Sequence, residues 1–183
     1  MLELNEVLVE GAANTVSMMA REKQMTCLPG GTAQVRTHLL LAMLGLSTVR
    51  SGFVSIDGEP LNKSTVKVFR KQMAYVPSEL VPDGEVTVYE PPTVQDVFEW
   101  KDNRDAAISN GLLDEEMKRT MAPYAKAQLL AVAVLRQRPI LLVDQPHPLS
   151  ADYLHHLAQE GRIVIVSSQD EDILRVSDEV IEI

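Results

Sequence analysis

In the first half of the chain apolar positions recur every second residue. In the second half they gather into unbroken runs separated by helical stretches. Leu2 to Val9 alternates apolar and polar side chains, which predicts a strand with one buried face. Val16 to Ala20 and Gln24 to Leu28 predict two further strands, the second running into the turn Pro29-Gly30-Gly31. From Arg36 to Leu46 the sequence becomes Leu-rich, the pattern of a buried helix ending near Gly45 or Ser47. "SGFVSIDGEPL" then sets Phe53, Ser55 and Asp57 against Val54 and Ile56, with Asp57-Gly58 as a hairpin turn. "MAYVPS", Met73 to Ser78, predicts a short buried strand closed by Pro77.

Leu80 to Pro92 is rich in Pro, Gly and acidic residues and reads as an exposed loop. Thr93 can cap a helix through Trp100, with polar helical sequence on to about Arg119, and Tyr124 to Arg138 is Ala- and Leu-rich with helical periodicity. "ILLVDQP", Ile140 to Pro146, is a continuous apolar run ending in an acid, as in a strand buried on both faces. Leu154 to Gln159 reads as a short helix, "RIVIVSS" as another buried strand, Glu171 to Ser177 as a last helix and "EVIEI" as a closing strand. Strands alternating with helices imply parallel βαβ units. In an open parallel sheet the carboxyl ends of the strands face the ligand crevice, which singles out Asp144 and Ser167 to Gln169.

Composition narrows the function classes. A chain of 183 residues suits one domain, and 45% hydrophobic with 23% charged residues is ordinary for a soluble globular protein. The formal net charge of -9 gives nothing to offset phosphate repulsion along a nucleic acid, so no nucleic-acid partner is expected. The single cysteine, Cys27, excludes an internal disulfide and suits a reducing compartment; it reads as a small core residue. "MLELNEVLVE" lacks the basic flank and apolar core of a signal peptide. Apolar runs such as Leu39 to Leu46 are too short to cross a bilayer, so any membrane role is expected through a partner.

The candidate chemistry lies where the third strand meets the first helix. A phosphate-binding loop reads Gly, four residues, Gly-Lys, then Ser or Thr, followed by a helix. Here Gly30 stands first and Thr37 last, with Gly31, Thr32, Ala33 and Gln34 between, Val35 in place of the second glycine and Arg36 in place of the lysine. Arg36 either binds an anion at the helix N-terminus or lies at the surface. On the residues alone, Thr37 reads as a residue of the first turn and Asp144 as the cap of a following turn. His38, His147, His155 and His156 show no metal-ligand spacing, and Asp114 to Glu116 reads as a solvated acidic face.

Five blocks in order resemble the ATP-binding subunit of an ABC transporter over nearly the whole chain. "GGTAQVRTHLLLAMLGL" is similar to the Walker A loop and helix, "SGFVSIDGEPL" to the following hairpin, and "MAYVPS" to the strand leading to the Q-loop. "MAPYAKAQLLAVAVLRQRPILLVDQP" resembles the signature helix and Walker B, and "GRIVIVSSQDEDILRVSDEVIEI" the switch strand and closing strand. The resemblance implies an α/β fold: a phosphate-loop NTPase-like core with a mostly parallel sheet, an N-terminal antiparallel β subdomain, and a shortened helical subdomain at about 93–128. All 183 residues would form this single domain. It further implies a nucleotide site at Gly30, Gly31, Thr32, Ala33, Gln34, Val35, Arg36, Thr37 and His38. Magnesium, if nucleotide binds, would lie at Thr37, Ser78 and Asp144.

The scaffold matches and the chemistry departs. Val35 replaces a glycine, costly wherever that backbone needs positive φ, and Arg36 replaces a lysine with a bulkier planar fork. Ser78 stands for the Q-loop glutamine, Met121 to Ala125 for the signature Leu-Ser-Gly-Gly-Gln, Gln145 for the catalytic glutamate and Gln169 for the switch histidine. No aromatic residue between Val7 and Ala12 is present to stack an adenine. Two readings stand. One is a degenerate ATPase relative, binding ATP and magnesium weakly or not at all, that acts as a structural or regulatory subunit. The other is a working transporter ATPase completed by a second subunit. On either, the resemblance implies a cytoplasmic chain, a homodimer or a heterodimer with another ABC ATPase, and contact with a membrane permease rather than insertion into the membrane.

Overall fold

The computed structural model describes residues 1–78 and 126–183. The loop expected at Leu80 to Pro92, the helical stretch from Thr93, the acidic group Asp114 to Glu116 and the block Met121 to Ala125 lie outside the described residues. Only the last three positions of the stretch 93–128 fall within them.

Strands β1 (Leu2–Val9), β2 (Val16–Ala20), β4 (Val49–Ile56) and β5 (Glu59–Pro60) form an antiparallel sheet in the order β2-β1-β4-β5. The alternation in β1 buries Leu2, Leu4, Val7 and Val9, with one break: pairing with β2 jumps from Leu4 to Val7, and Glu6 takes φ 48°. Gly52 of β4 crosses this break. A Cβ there would lie 2.2 Å from the carbonyl oxygen of Asn5 and 2.3 Å from that of Glu6, so only glycine fits. The expected Asp57-Gly58 hairpin forms, both residues at positive φ (51° and 81°), between the pairs Ile56–Glu59 and Ser55–Pro60.

The second sheet is parallel. It contains β3 (Gln24–Leu28), β6 (Met73–Val76), β7 (Ile140–Asp144), β8 (Ile163–Ser167) and β9 (Glu179–Val180), in the order β6-β7-β8-β3-β9. Every residue of β7 and β8 is buried, because alternate side chains enter two different cores. Ile140, Leu142, Ile163 and Ile165 pack with the antiparallel sheet and helix α1 (Ala33–Met43). Leu141, Val143, Val164 and Val166 pack with α3 (Lys126–Leu135) and α4 (Ala151–Gln159). Helix α2 (Val66–Gln72), which the apolar pattern does not announce, leads into β6, and α5 (Glu171–Val176) leads into β9.

Two helix starts differ from the sequence expectation. Helix α1 begins at Ala33 rather than Arg36, because the Thr32 side chain accepts the Val35 N–H as an N-cap. It ends at Met43: Gly45, at φ 64°, donates its N–H to the Ala42 carbonyl at 2.9 Å, and Leu46 to the Leu41 carbonyl at 2.8 Å. These two bonds form a Schellman closure. Helix α4 begins at Ala151 rather than Leu154, because Ser150 caps it by accepting the Tyr153 N–H. In both places a polar residue just before the apolar run sets the start, which the apolar run by itself does not mark.

Candidate functional site

Register alone brings the candidate residues to one edge. Leu28 pairs with Ser167, and Ser167 with Asp144, so the carboxyl ends of β3, β8 and β7 lie side by side. Beyond Leu28 the turn Pro29-Gly30-Gly31 leads into α1 and points its first residues at the same edge. This is the crevice position expected for a ligand in an open parallel sheet.

Asp144 is the hub. It is completely buried, and each of its carboxylate oxygens accepts a protein hydroxyl. Thr37 Oγ1 donates to Oδ2 at 2.6 Å, and Tyr75 OH donates to the same oxygen at 3.3 Å. Ser167 Oγ donates to Oδ1. Three elements are thereby tied to β7 through one side chain: α1, β6 and β8. Burial, and then the adjacent Asp144 charge, push the Tyr75 phenol above its usual range and hold it neutral. Asp144 thus spends its oxygens on this network rather than on capping a turn, and Thr37 takes part through its hydroxyl.

The loop is closed by its own arginine. Arg36 is 7% exposed, so it is not a surface residue. Its Nη1 donates to the carbonyl oxygens of Gly30 at 2.7 Å and Gly31 at 3.1 Å, while its buried Nε has no partner. Val35 lies inside α1, and the positive φ values fall instead on Gly30 (78°) and Gly31 (51°). The backbone cost expected of a β-branched residue at 35 therefore does not arise. The buried Val35 side chain instead fills space: positions for a Cβ on Gly11 and on Gly31 each come within 3.4 Å of it. A cavity of about 200 Å³ remains between Gly11 to Asn14, Gly31, Thr32, Val35 and Ile183, with no aromatic residue in its wall. Gly30 is also pressed from the far side, since a Cβ on it would lie 2.7 Å from the Ile183 carbonyl oxygen.

The other predicted residues are distributed unevenly. Gly31, Thr32, Ala33 and Gln34 are exposed at the loop and the start of α1, and His38 Nδ1 lies 3.4 Å from the Glu10 carbonyl oxygen. Gln145 follows the hub in a left-handed conformation, φ 47°, with its N–H shared between the Ser167 carbonyl (3.0 Å) and Ser167 Oγ (3.3 Å). Gln169 is exposed, and Ser78 is half-buried just past the end of β6. Cys27 is buried as expected. Its thiol is pushed up to about 11, by burial first, and it donates to the Ser168 carbonyl at 3.5 Å.

Two residues with a part in the site were not singled out by the sequence. Tyr75 sits in a short apolar strand where its ring suggests packing only. Lys126 opens α3, where a lysine is ordinarily solvated; instead it is buried and its ammonium donates to the backbone carbonyls of Asp144 (2.9 Å) and Gln145. A charged residue at the head of an otherwise Ala- and Leu-rich helix is the one signal that could have drawn attention to it. Among the described residues, Arg36, Lys126 and Asp144 are the buried charged side chains, and all three converge on this edge. No group of three or more His, Cys, Asp or Glu side chains able to hold a metal ion occurs among the described residues. Magnesium at Thr37, Ser78 and Asp144 would thus rest on one carboxylate whose two oxygens are already engaged, and this donor set does not fit a divalent cation as it stands.

Known proteins agree with the fold. The family model described as ABC transporter matches residues 13–148. A putative ABC transporter ATP-binding protein of Archaeoglobus fulgidus is 27% identical over 192 residues, covering 87% of this chain and 62% of that protein. This chain thus spans under two thirds of the length of that relative. Among solved structures, CbiO1 of Clostridium perfringens, described as part of the ABC transporter complex cbiONQ, superposes with a TM-score of 0.70 at 18% identity, covering 99% of this chain and 83% of CbiO1. The dimeric structure of a bacterial ABC transporter cassette superposes with a TM-score of 0.69 at 17% identity, covering 100% and 94%. At such identities the likeness establishes the fold alone. With the family match over residues 13–148, about three quarters of its length, the chain belongs to the ABC transporter family.

Proposed function

We propose that this chain is a non-catalytic, weakly nucleotide-binding subunit with a structural or regulatory role in an ABC transporter-like assembly. One observation carries the reading: the groups that a nucleotide and its metal would need are bonded to one another. Asp144 accepts from Thr37, Tyr75 and Ser167, and Arg36 is folded onto the Gly30 and Gly31 carbonyls. An incoming phosphate would have to break these bonds before forming its own. At Gln145 a carboxamide stands where hydrolysis needs a base, and an amide does not accept a proton at neutral pH. In this reading the chain is cytoplasmic, dimerises with itself or with another ABC ATPase, and meets the membrane through a permease. Among the described residues no helix is long and apolar enough to cross a membrane.

Calorimetric titration with ATP and magnesium tests it. We expect no measurable binding, or binding only in the millimolar range. Micromolar affinity would sink the proposal.

The retained Thr37–Asp144 bond favours a second reading, a working ATPase completed by a partner subunit, because this pair is what such a site keeps ready for a metal. The two readings part on Gln145→Glu. A positioned general base is worth roughly 10²–10⁴ in rate, but only where water, phosphate and metal are already aligned. We expect phosphate release by Gln145→Glu to stay at the wild-type level. A rise of about tenfold or more that disappears when Asp144→Ala is added would establish the working ATPase.

A further inference from the structure

We infer that helix α2, with the chain just after α3, forms a docking surface for an anionic phospholipid bilayer, touching its headgroups without insertion. The inference concerns a face remote from the Asp144 hub and goes beyond the subunit role proposed above.

The chain is acidic as a whole, yet Leu61 to Ser78 carries four cations and no acidic residue. Backbone bonds line them up. The Val66 N–H donates to the Asn62 carbonyl at 2.9 Å, so the turn that becomes α2 already takes in Lys63. Lys63, Lys67 and Lys71 then recur every four residues and share one face, opposite the buried Phe69. All three are exposed. Arg70 stands exposed on the flank, its guanidinium donating to the carbonyls of Leu44 and Gly45 at 2.9 and 3.0 Å. Arg138 donates to the Lys71 carbonyl, which brings the exposed Arg136 and the half-buried Arg138 to the end of the same stripe.

Protein surfaces ordinarily intersperse charges of both signs. Elsewhere on this chain Arg50, Arg162 and Arg175 each pair with a carboxylate. Among the described residues none of the six cations of this face is in an ion pair. A cluster of about four to eight Lys and Arg is the footprint of an anionic lipid surface. The net charge of -9 does not oppose such contact, because at about 0.1 M salt fields fade within about 10 Å and a bilayer meets this face alone. Two aliphatic side chains separate a lipid from other polyanions. Val68 and Leu46 are 57% and 58% exposed beside the cations, Leu46 directly after the Gly45 carbonyl that Arg70 holds. Next to basic residues such groups rest at the headgroup boundary. A nucleic acid would lack a stacking platform here, since the one aromatic ring between Leu61 and Gln72, that of Phe69, is buried.

Vesicle flotation with the full chain, in the absence of nucleotide, tests the inference. Vesicles of phosphatidylglycerol and phosphatidylcholine in equal parts are expected to carry wild type with them, and vesicles of phosphatidylcholine alone are not. Lys63→Gln, Lys67→Gln and Lys71→Gln together should weaken binding by about tenfold or more. Arg21→Gln, Lys23→Gln and Arg175→Gln, the same loss of charge in the β2–β3 turn and α5, should leave it within about twofold. Wild type that does not float with the anionic vesicles overturns the inference. So do two triple variants that weaken equally, since net charge rather than this face would then govern. A chain that binds polyglutamate and not the vesicles overturns it too, and marks the face for an acidic protein. Micromolar ATP affinity would defeat the proposed function and leave this outcome untouched.

Discussion

Cys27 and Tyr75 lie at the carboxyl edge of the parallel sheet, and burial raises the proton affinity of both. A thiol or phenol whose pKa is raised on folding is favoured in its neutral form by the folded state. The stability it contributes is complete below the unfolded-state pKa and is lost as pH climbs toward the folded value. For Cys27 that window runs from 9.0 to about 11, and for Tyr75 it opens at 10.0. Denaturant unfolding followed across this range should show stability falling as pH rises above 9.0, with a shallower fall in Cys27→Ala and, above 10.0, in Tyr75→Phe. An unchanged slope in both variants would mean that these groups do not report the packing of the site edge. At this scale the sequence is a partial guide. It marks Thr37 and Asp144 as candidates but leaves their partnership open, and it gives no sign that Arg36 folds back on its own loop. A local pattern shows which residues want burial; it is silent on which polar groups will meet there.

Among the elements, α1 and α4, which both start ahead of their apolar runs, share a cause and a test. Thr32 and Ser150 each cap a helix by accepting a backbone N–H three residues on, at 3.2 Å in both cases. Losing such a cap costs about 1 kcal/mol. Helix α1 packs on one face of the parallel sheet and α4 on the other, so the two losses should be independent. Urea unfolding of Thr32→Ala, Ser150→Ala and the double variant is expected to show about 1, about 1 and about 2 kcal/mol of destabilisation, respectively. A double variant no worse than either single one would mean that the helix starts are held by tertiary packing rather than by their caps. The strands were more legible than the helix ends. β1, β2, β3, β7 and β8 fall where alternation or apolar runs place them, because a two-residue period or an unbroken run is a direct record of which faces are buried. The bulge between Leu4 and Val7 was hidden, since it depends on the partner strands and on Gly52 across the sheet.

For the molecule as a whole, the two apolar cores are built from side chains alone. One joins the antiparallel sheet to α1 and the near face of the parallel sheet, and the other joins its far face to α3, α4 and α5. The described fold is therefore expected to form without a ligand. A ligand stabilises only through the logarithm of one plus its concentration over Kd, so a weakly bound nucleotide has little leverage. The thermal midpoint is expected to move by no more than about 1 °C between ATP with magnesium at millimolar concentration and buffer alone. A rise of many degrees by calorimetry would contradict both the closed site and the reading of a non-catalytic subunit.

By itself the sequence determined the order of the strands and of helices α1, α3, α4 and α5, the parallel arrangement of the second half, the Asp57-Gly58 hairpin and the resemblance to the ABC transporter family. Each is written in residues close together in the chain: a hydrophobic period, a turn dipeptide, a short motif. The tertiary structure decided what the site does with its residues. Thr37 meets Asp144 across 107 positions and Tyr75 meets it across 69, contacts that exist only because strand register sets the carboxyl ends of β6, β7 and β8 in one row. Lys126 and Arg36 are likewise assigned by burial rather than by type. At another helix start either would be a solvated surface charge; here both are buried, and backbone carbonyls of the β7 end and of the loop are among their partners.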